Sequence, residues 1–386
     1  MTLPDDRDVR FGDDAILDTW QLVSKLDGKR AVLICGQHAF DASGANRCLD
    51  ELTKVAEVRR WSEFHPNTDA ADLIHGLRVV EEFKPDLVLG VGGGSAMDMA
   101  KLLCAYQGIT DAEQLHAAIR TGAAITERRL KLVLAPTTSG SGSEATHFAV
   151  VYIGNDKYSI AGPAMLPDTV ILDPKLTLTA SPYQRATSGI DALAQATESL
   201  WASGASDASR GFARAAIDLL VPALPEFVNN PSSEVAGRMA QGSHLAGRAI
   251  DVSKTTAAHA LSYGFTKSYG VSHGHAVALT LGAFIEAHAK ATPDNLQPSV
   301  DPATHAEGMR TLLAAFGAAD AADARARFDA IAEECGLPLK LAEHGITTRE
   351  QVADLASRVN VERLGNNPVV FTKEQLTELV AAGLSG

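Results

Sequence analysis

The chain has 386 residues, enough for two domains that each bury a substantial core. Its formal charge of −13 is the wrong sign for a nucleic-acid surface, and no run has the apolar length of a membrane span. Cys35, Cys48, Cys104 and Cys335 are scattered with no C-x-x-C pair, so neither a zinc ribbon nor a disulfide framework is indicated. With no basic-then-apolar start, a cytoplasmic protein is the expectation.

In chain order, Ala31–Cys35 is a continuous apolar run ending at Gly36, the pattern of a buried parallel strand. Glu57–Trp61 reads as a weaker strand, Asp69–Phe83 as an amphipathic helix, and Asp86–Val91 and Lys131–Ala135 as two further strands. Strand and helix in alternation imply a parallel sheet with right-handed crossovers. Ala149–Ile153 and Thr169–Leu172 read as strands around a turn at Gly154–Lys157. From Ser181 onward the periodicity is helical: Gln184–Ala202, Ala208–Val228, Ser233–Leu261, Ala276–Ala291, Ala303–Phe316, Ala321–Cys335, Arg349–Val359 and Lys373–Leu384. The shift places a domain boundary between residues 178 and 179.

Two glycine-rich turns follow strands. Gly92-Gly93-Gly94-Ser95, with Asp98 and Lys101 in the helix it opens, lets backbone N–H groups approach an anion at a helix N-terminus. Ser95 can cap that helix and donate to a phosphate oxygen. The stretch lacks the G-K-[ST] ending of a Walker loop. The second turn, Thr137-Thr138-Ser139-Gly140-Ser141-Gly142-Ser143-Glu144, is a polar lining after a buried strand. Two such turns at the carboxyl ends of parallel strands suit a nucleotide; a ligand-free tight turn and a solvent loop are the structural alternatives.

Three of the twelve histidines, His259, His273 and His275, fall within one short stretch of the second half. Upstream, Asp191 and Gln195 are four apart and share a helix face. Asp191, Gln195, His259 and His273 make an O,O,N,N set that fits one divalent cation. The alternative is a helix-capping aspartate and two satisfied core histidines.

Gly92 to Ser95 with Asp98 and Lys101, the Thr137 to Glu144 turn, the Asp191-Ala-Leu helix, and His259 fourteen residues before His273-Gly together resemble the iron-containing (group III) alcohol dehydrogenases over nearly the whole chain. The resemblance implies a Rossmann-like NAD(P)-binding domain at residues 1–178 and an all-α metal-binding catalytic domain at 179–386. It implies reversible hydride transfer between alcohol and carbonyl, a divalent metal (Fe²⁺ or Zn²⁺), and a homodimer. Candidate nucleotide contacts are Gly36, Phe40, Gly92, Gly93, Gly94, Ser95, Asp98, Thr137, Thr138, Ser141 and Ser143. Where the family pattern has histidine four residues after the aspartate, this chain has Gln195. Gln195 ligates through oxygen, a water replaces that ligand, or His275 compensates.

Within the family, Glu144-Ala-Thr-His147 through Tyr152, Lys157 to Ala161, Ser253 to Tyr263, His273-Gly-His275-Ala-Val-Ala-Leu and Val359 to Pro368 resemble the phosphonoacetaldehyde reductases of phosphonate biosynthesis. These share the glutamine. His275 is then a candidate proton donor or a residue that orients His273, and Lys254 a candidate catalytic and substrate residue near His259. His147, Lys157 and Arg363 are further candidates for a phosphonate. Phosphonopyruvate reduction, general alcohol dehydrogenation, a dehydroquinate synthase-like lyase and an inactive nucleotide-binding protein are the alternatives. Cys35-Gly36-Gln37-His38 offers neither a carboxylate for a ribose hydroxyl nor an arginine for a 2′-phosphate, so either NADH or NADPH is expected to serve.

Overall fold

The computed structural model describes residues 7–359 and 364–384; the candidate Arg363 lies outside them. Contacts divide the chain into two compact units, Met1–Ala180 with Ser232–Gln241, and Ser181–Pro231 with Gly242–Gly386.

The first unit contains strands β1 (Val9–Phe11), β2 (Arg30–Cys35), β3 (Glu57–Trp61), β4 (Leu87–Gly92), β5 (Lys131–Pro136), β6 (Phe148–Ile153), β7 (Asp156–Ala161) and β8 (Thr169–Leu172). Six of them form one parallel sheet in the order β1-β8-β5-β4-β2-β3. Alternate residues of the central strands feed two apolar layers. Val32, Ile34, Val88, Leu132 and Leu134 pack with α4 (Ala70–Phe83) and α5 (Gly94–Ala105). Ala31, Leu33, Leu89, Val91 and Val133 pack with α1 (Thr19–Lys25) and α3 (Leu49–Val55) on the other face. The continuous apolar runs in the sequence are therefore strands buried on both faces. Short α2 (Ala39–Ala42) and α6 (Ala112–Thr121) complete the unit. The expected strand at 149–153 is half of an antiparallel hairpin with β7, separate from the main sheet.

The second unit is helical: α7 (Pro182–Trp201), α8 (Asp207–Asn229), α9 (Ser233–Ser253) from Gly242 onward, α10 (Ala257–Tyr269), α11 (His273–Ala289), α12 (Pro302–Ala315), α13 (Ala321–Glu334), α14 (Arg349–Ser357) and α15 (Lys373–Ala381). Ser181 caps α7 by accepting from Gln184 N at 3.1 Å, with Pro182 in the first turn. Helix α7 packs against α8, α11 and α12, and is buried along most of its length.

Two expectations are corrected. The single helix Ser233–Leu261 is two, because Lys254 takes a left-handed φ of 60° and interrupts the helical path. The domain assigned to 179–386 is not contiguous, since Ser232–Gln241 belongs to the first unit. The local cause is visible at Gly237, whose Cβ position lies 3.6 Å from the ring of Phe11 and 3.8 Å from Pro174.

Gly274, in the first turn of α11, lets that helix close on α7: an added Cβ would lie 1.9 Å from the carbonyl oxygen of Thr187 and 3.1 Å from Cβ of Asp191. Gly274→Ala must push the two helices apart. Chemical denaturation should show a loss of about 1–3 kcal/mol; unchanged stability would show that the contact is not tight.

Candidate metal centre and nucleotide turns

Helix α7 carries Asp191, α10 carries His259, and α11 begins at His273. One ligand atom from each lies within 4.8 Å of the other two, and among the described residues this is the group of acidic, histidine or cysteine side chains so arranged. His259 Nε2 is 3.3 Å and His273 Nε2 3.7 Å from the same oxygen, Asp191 Oδ1.

Hydrogen bonds behind the rings set their tautomers. His259 Nδ1 meets Glu198 Oε2, a carboxylate that can only accept, so Nδ1 carries the proton. Glu198 is fully buried; its Oε1 also accepts from Thr256 Oγ1 at 2.6 Å and Ala258 N at 3.1 Å. Ser262 donates its hydroxyl to the carbonyl of His259 at 2.7 Å, so its oxygen accepts from His273 Nδ1–H at 3.2 Å. The ring of His273 stacks on Tyr263 with centroids 5.5 Å apart. Both histidines therefore turn Nε2, the metal-binding nitrogen, toward one carboxylate oxygen. Three acceptors converging on one point are stable only around a cation, so the donor set fits a divalent metal. Without the metal a proton takes its place. Burial opposes charge on His259, but Glu198 and Asp191 overcome it and raise its pKa above the usual imidazole value. Burial would likewise raise Glu198, yet His259 and Thr256 hold it below the usual range.

Gln195 lies on the same face of α7 and donates Nε2 to Asp191 Oδ2 at 3.2 Å. That bond fixes the carboxylate of Asp191. His275 stands apart from the role of orienting His273. It is buried, its Nε2 donates to the carbonyl of Pro338 at 2.9 Å, and its Nδ1 is 3.3 Å from the Tyr183 hydroxyl. Burial lowers its pKa. This is a neutral, anchored imidazole, bonded to Pro338 and Tyr183 instead of to His273. Lys254 is exposed, with Nζ 3.2 Å from the carbonyl of Asp251.

The nucleotide turns belong to the first unit. An added Cβ on Gly94 would lie 3.0 Å from Ser141 Cβ, and one on Gly93 3.7 Å from Thr138, so the two turns meet face to face. Thr137 N donates to Gly92 O at 2.9 Å. Gly93 is the N-cap of α5, leaving first-turn N–H groups for an anion. Ser95 does not cap; its hydroxyl accepts from Asn67 N at 3.1 Å. Asp98 and Ser143 also differ from expectation. Asp98 Oδ1 accepts from Ser143 Oγ at 2.5 Å and Oδ2 from Val150 N at 2.9 Å, so the pair ties α5 to the 143–150 segment. Lys101, fully buried, does the same through the carbonyls of Thr146 at 2.7 Å and Phe148 at 2.9 Å. Phe40 is fully buried in the core, while Gly36 lies at the end of β2, its N 4.0 Å from the Cβ position of Gly92. His147 immediately precedes β6, while Lys157 is the second residue of β7, beside the hairpin turn and paired across it with Tyr152.

Residues 6–174 match the sequence profile of the iron-containing alcohol dehydrogenases, and residues 185–384 that of the Fe-containing alcohol dehydrogenase family, C-terminal. The chain belongs to the iron-containing alcohol dehydrogenase family. It is 40% identical over 200 residues to long-chain-alcohol dehydrogenase 1 of Geobacillus thermodenitrificans, a match covering 51% of this chain and 50% of that protein. It thus spans about half the length of that relative. It is 30% identical over 326 residues to phosphonoacetaldehyde reductase of Streptomyces viridochromogenes, covering 82% of this chain and 81% of that one. The sulfoacetaldehyde reductase from Bifidobacterium kashiwanohense in complex with NAD+ superposes with a TM-score of 0.88 at 26% identity, covering 100% of this chain and 98% of the other.

Sequence reasoning missed Glu198. Its signal was its place seven residues after Asp191, on the same face of α7, but its partners are 58 to 61 residues further along the chain. Glu198→Gln keeps the shape and weakens the hold on His259; competition with a chromogenic chelator should show a loss of metal affinity of about 10- to 100-fold. An unchanged affinity would reduce Glu198 to a packing role.

The ion pair also sets a pH signature in metal-stripped protein. Because folding raises His259, its contribution is fully present below its ordinary value of 6.5 and is lost as pH rises through the raised folded value. Glu198 is lowered, so its contribution is present above 4.5 and lost as pH falls through the lowered folded value. Melting of chelated protein should therefore decline on the alkaline side, and Glu198→Gln should flatten that decline. A parallel pH curve in the variant would contradict the pairing.

Proposed function

We propose that the protein is a metal-dependent NAD(P)H oxidoreductase that reduces a small anionic aldehyde, phosphonoacetaldehyde, to 2-hydroxyethylphosphonate. The observation that supports it most is the convergence of Asp191, His259 and His273 within 4.8 Å in a chain of this family. The choice of substrate is supported by the 30% identity to a phosphonoacetaldehyde reductase across 82% of this chain. Phosphonate biosynthesis as its setting and a homodimer as its assembly belong to the same proposal.

Asp191, His259 and His273 would hold the cation. When bound, it supplies Lewis acidity of roughly several kcal/mol and the nicotinamide supplies hydride. The chain's own part is positional. Glu198 and Ser262 keep both Nε2 atoms bare, Gln195 fixes the second oxygen of Asp191, and Tyr263 packs on His273. Gly93, Gly94, Thr138 and Ser141, which meet at the two turns, would line the place for the pyrophosphate.

Lys254 is the residue proposed to meet the substrate anion. Its left-handed backbone costs a lysine roughly 1–2 kcal/mol that glycine would avoid. The turn is braced by Asn366, whose Nδ2 donates to Ser253 O at 2.8 Å and to Thr255 O at 3.0 Å. A cationic side chain at a strained, braced turn three residues from α10 is consistent with a functional demand. The sulfoacetaldehyde reductase similarity favours a second anion of the same shape, so the test uses both.

Turnover of NADH and NADPH by protein loaded with Fe²⁺ or Zn²⁺ should be compared for phosphonoacetaldehyde, sulfoacetaldehyde and propanal. The reading expects metal-dependent turnover, with kcat/KM about 100-fold better for phosphonoacetaldehyde than for propanal, about 2.7 kcal/mol. Preference for propanal would make it a general alcohol dehydrogenase, and preference for the sulfonate would reassign the anion. Lys254→Gly should raise KM for the phosphonate, spare propanal, and change unfolding stability by less than about 1 kcal/mol. Equal loss on both aldehydes would remove Lys254 from substrate binding.

A further inference from the structure

The segment after β2 has no acidic or basic residue of its own from Cys35 to Ala39 apart from His38, yet the fold brings an arginine to it. In β3, Arg60 is in register with Leu33 of β2, two residues short of the end of that strand. Its guanidinium reaches across to the loop that follows: Nη2 donates to Gln37 O at 3.1 Å and Nη1 to Asp41 Oδ2 at 3.1 Å. It lies over the ring of Phe40, 5.0 Å from its centroid. Its side chain is 33% exposed, so a ligand can reach it without stripping a buried charge.

Position gives this arginine its meaning. Strand β2 lies between β3 and β4, and β4 runs into Gly92–Gly94. Gly36 N is 4.0 Å from the Cβ position of Gly92, so the loop after β2 adjoins the pyrophosphate turn. In a doubly wound sheet the adenosine ribose lies over the strand next to the phosphate turn, where an acid selects the 2′-hydroxyl or an arginine the 2′-phosphate. Here Gly36 stands at the end of the strand, and the guanidinium is fastened to the following residue.

We propose that Arg60 selects NADPH over NADH by pairing with the 2′-phosphate of the adenosine ribose. The inference rests on the dinucleotide reading of this unit. Asp41 is the competing group, a carboxylate 49% exposed that now takes one arm of the guanidinium. The 2′-phosphate carries about −1.5 to −2 at neutral pH against the single charge of Asp41, and presents three acceptor oxygens. A guanidinium has five N–H donors in a fork that matches phosphate, so it can exchange or share Asp41 while keeping Gln37 O. Phe40, buried beneath the guanidinium, fixes its plane.

Calorimetric titration of metal-stripped protein tests this without turnover. The probes are NADPH, NADH, adenosine 2′,5′-bisphosphate and AMP, at one ionic strength, with wild type, Arg60→Gln, Arg60→Lys and Asp41→Asn. Wild type should bind NADPH more tightly than NADH. Arg60→Gln should weaken NADPH and the bisphosphate about 10- to 100-fold while leaving NADH and AMP unchanged. Arg60→Lys should fall between, and Asp41→Asn should tighten NADPH. Equal weakening of both dinucleotides in Arg60→Gln, or tighter NADH in wild type that Asp41→Asn abolishes, would overturn the assignment and leave the dehydrogenase reading standing. Binding of neither dinucleotide to wild type would overturn both.

Discussion

Two imidazole lone pairs directed at one carboxylate oxygen repel each other and the oxygen unless positive charge lies among them. The second unit holds His259, His273 and Asp191 in that arrangement. Glu198 is what makes it persist: its buried carboxylate accepts a hydrogen bond from Nδ1–H of His259 and, through Thr256 and Ala258, pins the start of α10 to α7. Thr256 in turn accepts from Trp201 Nε1 at 3.0 Å, carrying the brace to the end of α7. Removing one member leaves the others buried with unbalanced charge, so the site and the helix packing stand or fall together.

The first unit solves a different problem, that of keeping polar turns rigid at the edge of a sheet. Gly90 does this for the first turn, since a Cβ there would meet Leu134 at 2.7 Å and Ala100 at 2.8 Å, so α5 lies close on β4. Asp98 and Lys101 do it for the second, spending their charges on Ser143, Val150, Thr146 and Phe148. They fix the backbone of that turn. Preorganised N–H groups bind an anion without the cost of ordering a loop at that moment.

The α/β unit and the helical unit were legible because β2, β4 and β5 are apolar runs, the first two closed by glycine and the third by Pro136, and because helical periodicity begins at Ser181. The ligand set was legible from residue types and order. What the sequence hid depends on partners distant along the chain. The tautomer of His275 is set by a carbonyl 63 residues on, and Arg60 meets Gln37 only through strand pairing. The break at Lys254 was invisible for another reason: a lysine in a left-handed turn carries none of the glycine or proline punctuation that marks a helix end.

Anomalous diffraction from crystals grown with Fe²⁺, and separately with Zn²⁺, tests the centre most directly. The account predicts one strong peak at about 2.0–2.2 Å from His259 Nε2, His273 Nε2 and an oxygen of Asp191, with Glu198 still on Nδ1 of His259. A peak bound elsewhere, or none at saturating metal, would contradict it.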